Sequence, residues 1–245
     1  MAVTSADKEC HVFWAHVDTS QAIVWPLLGA AERERAREYK HAPARARFVL
    51  GRGLARLAVA QVAGVEPESI EFTATCRHCG GPHGRLEVDT LDGRMRLSIT
   101  HSGARVGVAL TWDISCGLDI EQVALRGESA PSNALSPLER EVLASLPAAQ
   151  RIGAFIRTWT RKEAVLKATG DGLLLSPADL TMSLPWQPAR LDAWINRPPP
   201  HTTVHLHDLD VGPQYRASLA TLGVPVTVIE HDADICWLSE MTAPL

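Results

Sequence analysis

The chain has 245 residues, of which 46% are hydrophobic and 21% are charged, and its formal net charge is −4. This composition is typical of one or two globular domains with a buried core, and the acidic balance argues against a general nucleic-acid binder. No stretch approaches the roughly 20 apolar residues of a membrane helix, and the N-terminus lacks the pattern of a signal peptide. We therefore expect a cytoplasmic protein, and we expect its five cysteines to be reduced thiols.

The first half of the chain predicts a strand, a long helix and further strands. The first strand is "HVFWAHV" (11–17), and the helix spans residues 31–63, where apolar side chains recur at near-helical spacing until Gly64 ends it. The further strands are "SIEFTAT" (69–75), "RMRLSIT" (94–100) and "RVGVALTW" (105–112).

The predicted helix carries an excess of positive charge. Between residues 32 and 56 there are eight basic and three acidic side chains, although the whole chain is acidic. The basic residues are Arg33, Arg35, Arg37, Lys40, Arg45, Arg47, Arg52 and Arg56. Such a face indicates either an anionic ligand or partner, or a solvated helix surface with Glu–Arg pairs, and the pattern alone leaves both open.

The second half repeats this order of elements. "CGLDIEQV" (116–123) predicts a short strand, and Ser136, Pro137 and Glu139 predict the capped start of a helix over residues 137–146. A second helix follows over residues 151–169. The remaining strands are "LTMSL" (180–184), "HTTVHLHDL" (201–209), "YRASLAT" (215–221) and "VPVTVIE" (224–230).

The order of elements predicts an α+β protein made of two similar halves, residues 1–113 and 114–245. Each half combines a long helix with a small antiparallel sheet. We expect a ligand cleft where the halves meet.

Three acidic side chains are candidate metal ligands. Asp119 and Glu121 in "GLDIE" are two residues apart, which places both on one face of a strand. Glu163 lies in "WTRKEAVLKATGDGL" (159–173), four residues before Lys167, so these two share one row of a helix. The alternatives are an exposed edge strand and an ordinary surface ion pair. Lys162 points about 100° away from Glu163 on the helix, and we expect it to be solvated.

Two further motifs could carry chemistry. "LSITHSG" (97–103) places His101 at a strand end beside Thr100 and Ser102, where hydroxyl groups and an imidazole could meet a phosphate, although a lone histidine there is more often structural. "TCRHCGGPHG" (75–84) contains Cys76, His78, Cys79 and His83. Structural zinc needs four ligands, and no second pair follows at the usual spacing, so a glycine-rich turn is favoured over a zinc site.

The order of "LSITHSG", "GLDIEQV" and "WTRKEAVLKATGDGL" resembles that of the Sfp-type 4'-phosphopantetheinyl transferases. The signatures of that family are Ser-His-Ser, Gly-x-Asp-x-Glu and Trp-x-x-Lys-Glu-(x)3-Lys. The resemblance covers roughly residues 30–180. It implies a pseudo-dimer of two α/β halves, in which the first half binds coenzyme A and the second contributes the metal-binding and catalytic residues.

The resemblance also implies roles for individual residues of the second half. Asp119, Glu121 and Glu163 match the positions that hold Mg²⁺, with Mn²⁺ as the alternative ion. Glu163, directly or through a water, matches the base that accepts the proton of the incoming hydroxyl. Lys167 matches the lysine that contacts the coenzyme A diphosphate, so the implied catalytic set is Asp119, Glu163 and Lys167.

In the first half the resemblance implies contacts with the phosphates of coenzyme A. The matching residues are Arg35, Arg47, Arg85, Thr100 and His101. His101 matches the residue that reaches the 3'-phosphate, and Thr100 stands where the family often has serine. Glu32 and Leu86 depart from the family pattern, in which some members have a lysine and a proline at these positions.

The implied reaction transfers 4'-phosphopantetheine from coenzyme A to a serine of an acyl, peptidyl or aryl carrier protein and releases 3',5'-ADP. The implied enzyme is a magnesium-dependent monomer without a nucleic-acid or membrane partner. Two alternatives stay open: a magnesium-dependent phosphohydrolase acting on a nucleotide diphosphate, and a module that binds nucleic acid through the basic helix and the Cys-x-x-Cys turn.

Overall fold

The computed structural model describes residues 8–17, 21–76, 79–81, 84–123, 132–195 and 202–242. Its contacts divide the chain into two compact units. Unit 1 comprises Met1–Asp113 and Thr227–Leu245, and unit 2 is Ile114–Val226. Among the described residues, no helix combines the length and the apolar character that a membrane crossing requires.

Both units contain helices and mainly antiparallel strands, which confirms the predicted α+β class. The helices are α1 (Gln21–Val24), α2 (Ala30–Glu38), α3 (Ala42–Ala63), α4 (Pro137–Ser145), α5 (Ala148–Thr169) and α6 (Ile235–Met241). The strands are β1 (Glu9–His16), β2 (Leu86–Thr90), β3 (Gly93–Ser102), β4 (Arg105–Trp112), β5 (Cys116–Gln122), β6 (Leu180–Met182), β7 (Leu191–Trp194), β8 (Val204–Leu209), β9 (Tyr215–Leu222) and β10 (Thr227–Asp232).

Unit 1 is built around α3, which packs on a five-stranded sheet. The strand order is β10-β1-β4-β3-β2. The apolar face of α3 contributes Leu50, Leu54 and Leu57, and these side chains are fully buried in a cluster with Phe13 of β1 and Leu110 of β4. Burial of such side chains is the main source of stability in a helix–sheet layer. The helix ends where Gly64 adopts a left-handed conformation, as the sequence predicts.

Unit 2 is built around α5, the second helix of 22 residues. It lies on the antiparallel sheet β5-β9-β8, and β6 and β7 form a separate antiparallel pair. Ala164, Leu166 and Ala168 of α5 are fully buried together with Leu180 of β6 and Ala220 of β9. The small side chains at 164, 168 and 220 let the helix lie close to the sheet.

The predicted helix over residues 31–63 is two helices, α2 and α3. The chain leaves the helical conformation at Tyr39 and resumes it after His41, whose backbone is extended. Pro43 occupies the first turn of α3. A proline cannot continue a preceding helix, because its ring clashes with the turn before it, but it is well suited to a first turn.

Two expectations about the strands were also wrong. "SIEFTAT" forms no strand and contributes only the isolated bridge between Thr73 and Glu87. The C-terminal strand β10 pairs with β1 in parallel, whereas an antiparallel sheet was expected. Thr227–Leu245 therefore belongs to unit 1, whereas the expected second half, residues 114–245, included this segment. Pairing between strands more than 200 residues apart leaves no trace in local sequence patterns.

Two histidine rings join β1 to β10. His11 Nδ1 and His231 Nε2 are 3.0 Å apart, and the His231 ring stacks on Phe13 with 4.2 Å between ring centroids. Burial lowers the pKa of His11, although Glu9 opposes this shift. Burial, and after it the proximity of His11, lowers the pKa of His231. The hydrogen bond between the rings requires at least one of them to be neutral.

Acidification is expected to destabilise unit 1 through these rings. The pKa of each is lower in the folded protein than the usual value of about 6.5, so below that pH the unfolded chain binds more protons and the free energy of unfolding falls. The loss continues until the pH passes the lowered pKa values. Thermal unfolding from about pH 8 to about pH 5 should show a smaller loss for the double variant His11→Gln/His231→Gln than for the wild type. Equal losses in the two proteins would contradict this assignment.

Candidate active site

The strand β5 and the helix α5 touch through their backbones. Gly117 makes this approach possible, because a Cβ atom at this position would lie 2.1 Å from the carbonyl oxygen of Ala164. No side chain fits at that distance, so only glycine allows the contact. Asp119 and Glu121 lie on the same face of β5 as Gly117, since side chains alternate along a strand. The two acids therefore share the face of β5 that α5 covers.

Lys167 of α5 binds this face directly. Its Nζ donates to Asp119 Oδ1 at 2.7 Å and to the carbonyl oxygen of Leu118 at 2.9 Å. The Asp119 side chain is only 8% exposed, whereas that of Lys167 is 29% exposed. The pair is therefore partly desolvated, which distinguishes it from an ordinary surface ion pair.

Glu163 and Glu121 complete the predicted set of acids. Glu163 precedes Lys167 by one turn of α5 and is partly buried. Glu121 is also partly buried, and it lies opposite Arg216 in the pairing of β5 with β9. All three acids and Lys167 therefore belong to two neighbouring elements of unit 2.

The donor atoms of this set suit a hard cation. Asp119, Glu121 and Glu163 offer only carboxylate oxygens, which Mg²⁺ takes in proteins together with water and substrate phosphates. Within the described ranges, no three His, Cys, Asp or Glu side chains already stand close enough together to hold a metal ion. The donors fit by chemistry, and a shift of side chains would be needed to gather them around one ion.

In unit 1, Arg47 lies beside the turn that follows His101. Arg47 on α3 donates through Nη1 to the carbonyl oxygen of Gly103 at 3.3 Å. His101 near the end of β3 is exposed, and Thr100 is buried. Gly103 has a positive φ of 56°, which lets the chain reverse between β3 and β4. The structure thus places Arg47 at the turn that begins two residues after His101.

Two further predicted phosphate-binding residues, Arg35 and Arg85, lie on other elements of unit 1. Arg35 is exposed on α2, and Arg85 is partly buried immediately before β2. Both stay predictions, because their positions alone do not define a binding site.

Glu32, one of the departures from the family pattern, is an internal partner of two arginines. Its carboxylate accepts hydrogen bonds from Arg52 and Arg56, and from the backbone of Gly29 at the start of α2. Burial alone would raise the pKa of Glu32, but the charges and hydrogen bonds of these partners lower it below its usual range. Two of the eight basic side chains of this segment therefore share one internal carboxylate of unit 1.

Lys162 is buried, which contradicts the expectation that it is solvated. Its side chain is 0% exposed, and its Nζ donates to Glu139 Oε2 at 2.5 Å and to the carbonyl oxygens of Ala134 and Pro177, each at 2.9 Å. Burial lowers the pKa of Lys162, although Glu139 opposes this shift. All three donors of the ammonium group are satisfied.

The Glu139 carboxylate accepts hydrogen bonds from the start of α4, from α5 and from β6. It accepts from the backbone N–H of Ser136 at 2.8 Å, which completes the predicted capping box of α4. Its other oxygen accepts from the N–H of Met182 on β6 at 2.8 Å. The sequence signal for the capping box identified Glu139, but it gave no indication of the partner 23 residues later.

Arg161 is a second buried cation that the sequence analysis missed. It forms two hydrogen bonds with the carboxylate of Asp208 on β8, at 3.0 and 2.6 Å, and it donates to the carbonyl oxygens of Ser183, Leu184 and Gln187. Burial alone would raise the pKa of Asp208, but Arg161 and then Arg157 outweigh it and lower that pKa. The motif "TRKE" therefore contains two structural cations before Glu163.

Backbone hydrogen bonds link Cys76 to the two glycines that follow Cys79. The N–H of Cys76 donates to the carbonyl oxygen of Gly81, and the N–H of Gly80 donates to that of Cys76, both at 2.8 Å. Cys76 is buried and Cys79 is exposed, and within the part of the chain that the structure describes neither forms a disulfide. His78 and His83 lie outside the described residues, so the zinc question is not tested.

Comparison with known proteins identifies relatives of the chain. The profile of the 4'-phosphopantetheinyl transferase superfamily matches residues 115–220, which include β5 and α5. The chain is 31% identical to the 4'-phosphopantetheinyl transferase HetI of Nostoc sp. over 201 residues, or 78% of this chain and 83% of that protein. It is 28% identical over 148 residues to a 4'-phosphopantetheinyl transferase of Bacillus subtilis, covering 60% of this chain and 62% of that protein.

Two solved structures are similar to the chain over less than half of its length. The holo-[acyl-carrier-protein] synthase of Thermotoga maritima has 19% identity and a TM-score of 0.36, over 45% of this chain and 64% of that one. The ACPS–CoA complex of Chronobacterium ammoniagenes has 20% identity and a TM-score of 0.36, over 44% of this chain and 96% of that one. Because 31% identity to HetI extends over most of both chains, the protein belongs to the 4'-phosphopantetheinyl transferase superfamily, a group of enzymes.

Proposed function

We propose that the enzyme transfers 4'-phosphopantetheine from coenzyme A to a serine of an acyl, peptidyl or aryl carrier protein, in a Mg²⁺-dependent reaction. The observation that carries this proposal is the contact of Lys167 with Asp119 on the face of β5 that α5 covers, inside the segment that matches the superfamily. We also propose that the enzyme acts as a monomer in the cytoplasm, without a nucleic-acid or membrane partner.

The proposed reaction is a phosphoryl transfer, in which positioning and charge neutralisation do most of the work. The serine oxygen forms a bond to the β-phosphorus of coenzyme A, the bond from that phosphorus to the bridging oxygen breaks, and 3',5'-ADP leaves with that oxygen. Lys167 would place its ammonium group against the diphosphate oxygens, where negative charge gathers. A Mg²⁺ ion held by Asp119, Glu121 and Glu163 would supply further neutralisation of that charge.

Glu163 is the proposed acceptor of the serine proton. It lies on the same helix row as Lys167, one turn away, so a base and a phosphate ligand would be held by one rigid element. The proton passes to the carboxylate either directly or through a bound water. Glu163 would then have two tasks, because a carboxylate can bind a metal ion through one oxygen and accept a proton through the other.

Arg47 and His101 are proposed ligands of the 3'-phosphate of coenzyme A. The contact of Arg47 with Gly103 holds the guanidinium group near the turn that follows His101. A guanidinium group remains charged at all physiological pH values and offers a planar fork of donors to a phosphate. Arg35, Arg85 and Thr100 are proposed as further contacts with coenzyme A.

Arg47→Ala is expected to raise the KM for coenzyme A by about tenfold while changing kcat by less than about twofold, because the residue would bind ground state and transition state alike. Arg37→Ala is the matched control, since Arg37 is an exposed arginine of α2 that pairs with Glu34. Steady-state kinetics with a single carrier protein measures both values. An unchanged KM in the Arg47 variant would remove this residue from the site.

The proposed function is tested by mass spectrometry of carrier proteins. The purified enzyme is incubated with coenzyme A, Mg²⁺ and acyl, peptidyl or aryl carrier domains, with and without a chelator. Transfer requires that a carrier gain the mass of phosphopantetheine, and the chelator should prevent this gain. Release of 3',5'-ADP without a gain in carrier mass would instead identify a phosphohydrolase.

A further inference from the structure

Asp119 and Lys167 have been assigned to two different ligands, yet in the structure they bind each other. In the proposed function, Asp119 binds the divalent cation and Lys167 binds the diphosphate of coenzyme A. The Lys167 ammonium group instead contacts Asp119 Oδ1 at 2.7 Å. A cation bound at this carboxylate would therefore meet a positive charge already in place.

The surroundings of the pair hold the ammonium group at the carboxylate. The backbone contact of α5 with β5 at Gly117 fixes the base of the Lys167 side chain, whose Cβ lies 2.9 Å from the place that a Cβ of residue 117 would take. The carbonyl oxygen of Leu118 accepts a second hydrogen bond from Nζ. Because Asp119 is 8% exposed, water screens this attraction less than at the surface.

A lysine side chain can nevertheless change partners at this site. Lys167 is 29% exposed, and its side chain has four flexible bonds beyond the helix. A diphosphate attracts an ammonium group more strongly than a single carboxylate does, because the diphosphate carries more negative charge. Movement of Nζ to the diphosphate would leave the Asp119 carboxylate to the divalent cation.

We propose that Lys167 is an internal counter-ion of Asp119 that coenzyme A draws away, so that the divalent cation and coenzyme A each promote the binding of the other. This inference rests on the proposed function, because it takes the diphosphate of coenzyme A as the competing anion. Linkage requires the effect to be reciprocal. The factor by which coenzyme A raises the affinity for the cation equals the factor by which the cation raises the affinity for coenzyme A.

Binding of Mn²⁺, followed by the electron paramagnetic resonance signal of the free ion, tests this proposal without any catalytic turnover. The wild type is compared with Lys167→Met, which removes the charge, and with Lys167→Arg, which keeps it. Without coenzyme A, the Met variant is expected to bind Mn²⁺ at least about fivefold more tightly than the wild type. The Mn²⁺ affinity of the Arg variant should resemble that of the wild type. Addition of coenzyme A should improve Mn²⁺ binding less in the Met variant than in the wild type.

Equal or weaker Mn²⁺ binding by the Met variant without coenzyme A would overturn the proposal, since a lysine that only binds phosphate leaves that affinity unchanged. Circular dichroism establishes that each variant is folded, and Lys167→Gln replaces the Met variant if the latter does not fold. The result is separate from the proposed function. Suppose that the wild type modifies a carrier protein but the Mn²⁺ affinities of wild type and variant do not differ. The counter-ion proposal is then wrong, whereas the proposed transferase function is supported.

Discussion

Carrier modification by the Asp119→Ala variant is expected to be slower than that of the wild type by at least about a hundredfold, which is the scale of losing one group that stabilises the charge of a transition state. Asp119 is the most deeply buried of the three predicted metal ligands, and it is bound to Lys167 in the structure. Its loss would remove both a proposed ligand of the cation and the partner that holds the ammonium group beside β5. The effect should appear mainly in kcat, because these groups act on charge that develops during the transfer.

The Asp119→Ala variant should remain folded. The remaining Lys167 side chain is 29% exposed and can reach water, so no charge is left buried without solvation. Mass spectrometry of a carrier protein gives the rate, and thermal unfolding gives the stability. Asp119→Asn serves as a control of similar shape that lacks the charge, and it should lose nearly as much activity. Full activity in either variant would remove Asp119 from the metal site.

The largest expected loss of stability comes from Glu139→Leu. This change leaves the Lys162 ammonium group, which is 0% exposed, without its countercharge, and breaking such a buried pair costs about 3–5 kcal/mol. The variant also loses the hydrogen bonds that Glu139 accepts from Ser136 and Met182. For a protein of this size the midpoint of thermal unfolding should fall by about 10 °C.

An exposed ion pair of the same unit provides the matched control. Arg190 and Asp192 form a pair in which the side chains are 64% and 36% exposed. Arg190→Met should cost less than about 1 kcal/mol, because water already solvates both charges. The double variant Glu139→Gln/Lys162→Met should recover part of the stability lost in Glu139→Leu, since it leaves no buried charge. Similar losses for the buried and the exposed pairs would show that burial of Lys162 does not determine the cost.

Local patterns in the sequence predicted much of the fold. The alternation in β3, β4 and β5 and the helical periodicity of α5 place these elements within a few residues of their observed ends. The proline that divides α2 from α3 was visible, but periodicity on both sides of it concealed the break. The parallel pairing of β10 with β1 was not predictable in this way, because it depends on where the chain returns in space.

The spacing of acids and lysines along the chain was enough to place Asp119 and Glu121 on one strand face, and Glu163 and Lys167 on one helix row. Both follow from the geometry of a single element. Spacing separated Lys162 from Lys167 on the helix, but it assigned the wrong environment to Lys162, which was expected to be solvated and is buried. The tertiary structure buries the first against Glu139 and directs the second to Asp119. Such pairing depends on the rotation of α5 and on its close approach to β5 at Gly117, which only the packing of the two elements determines.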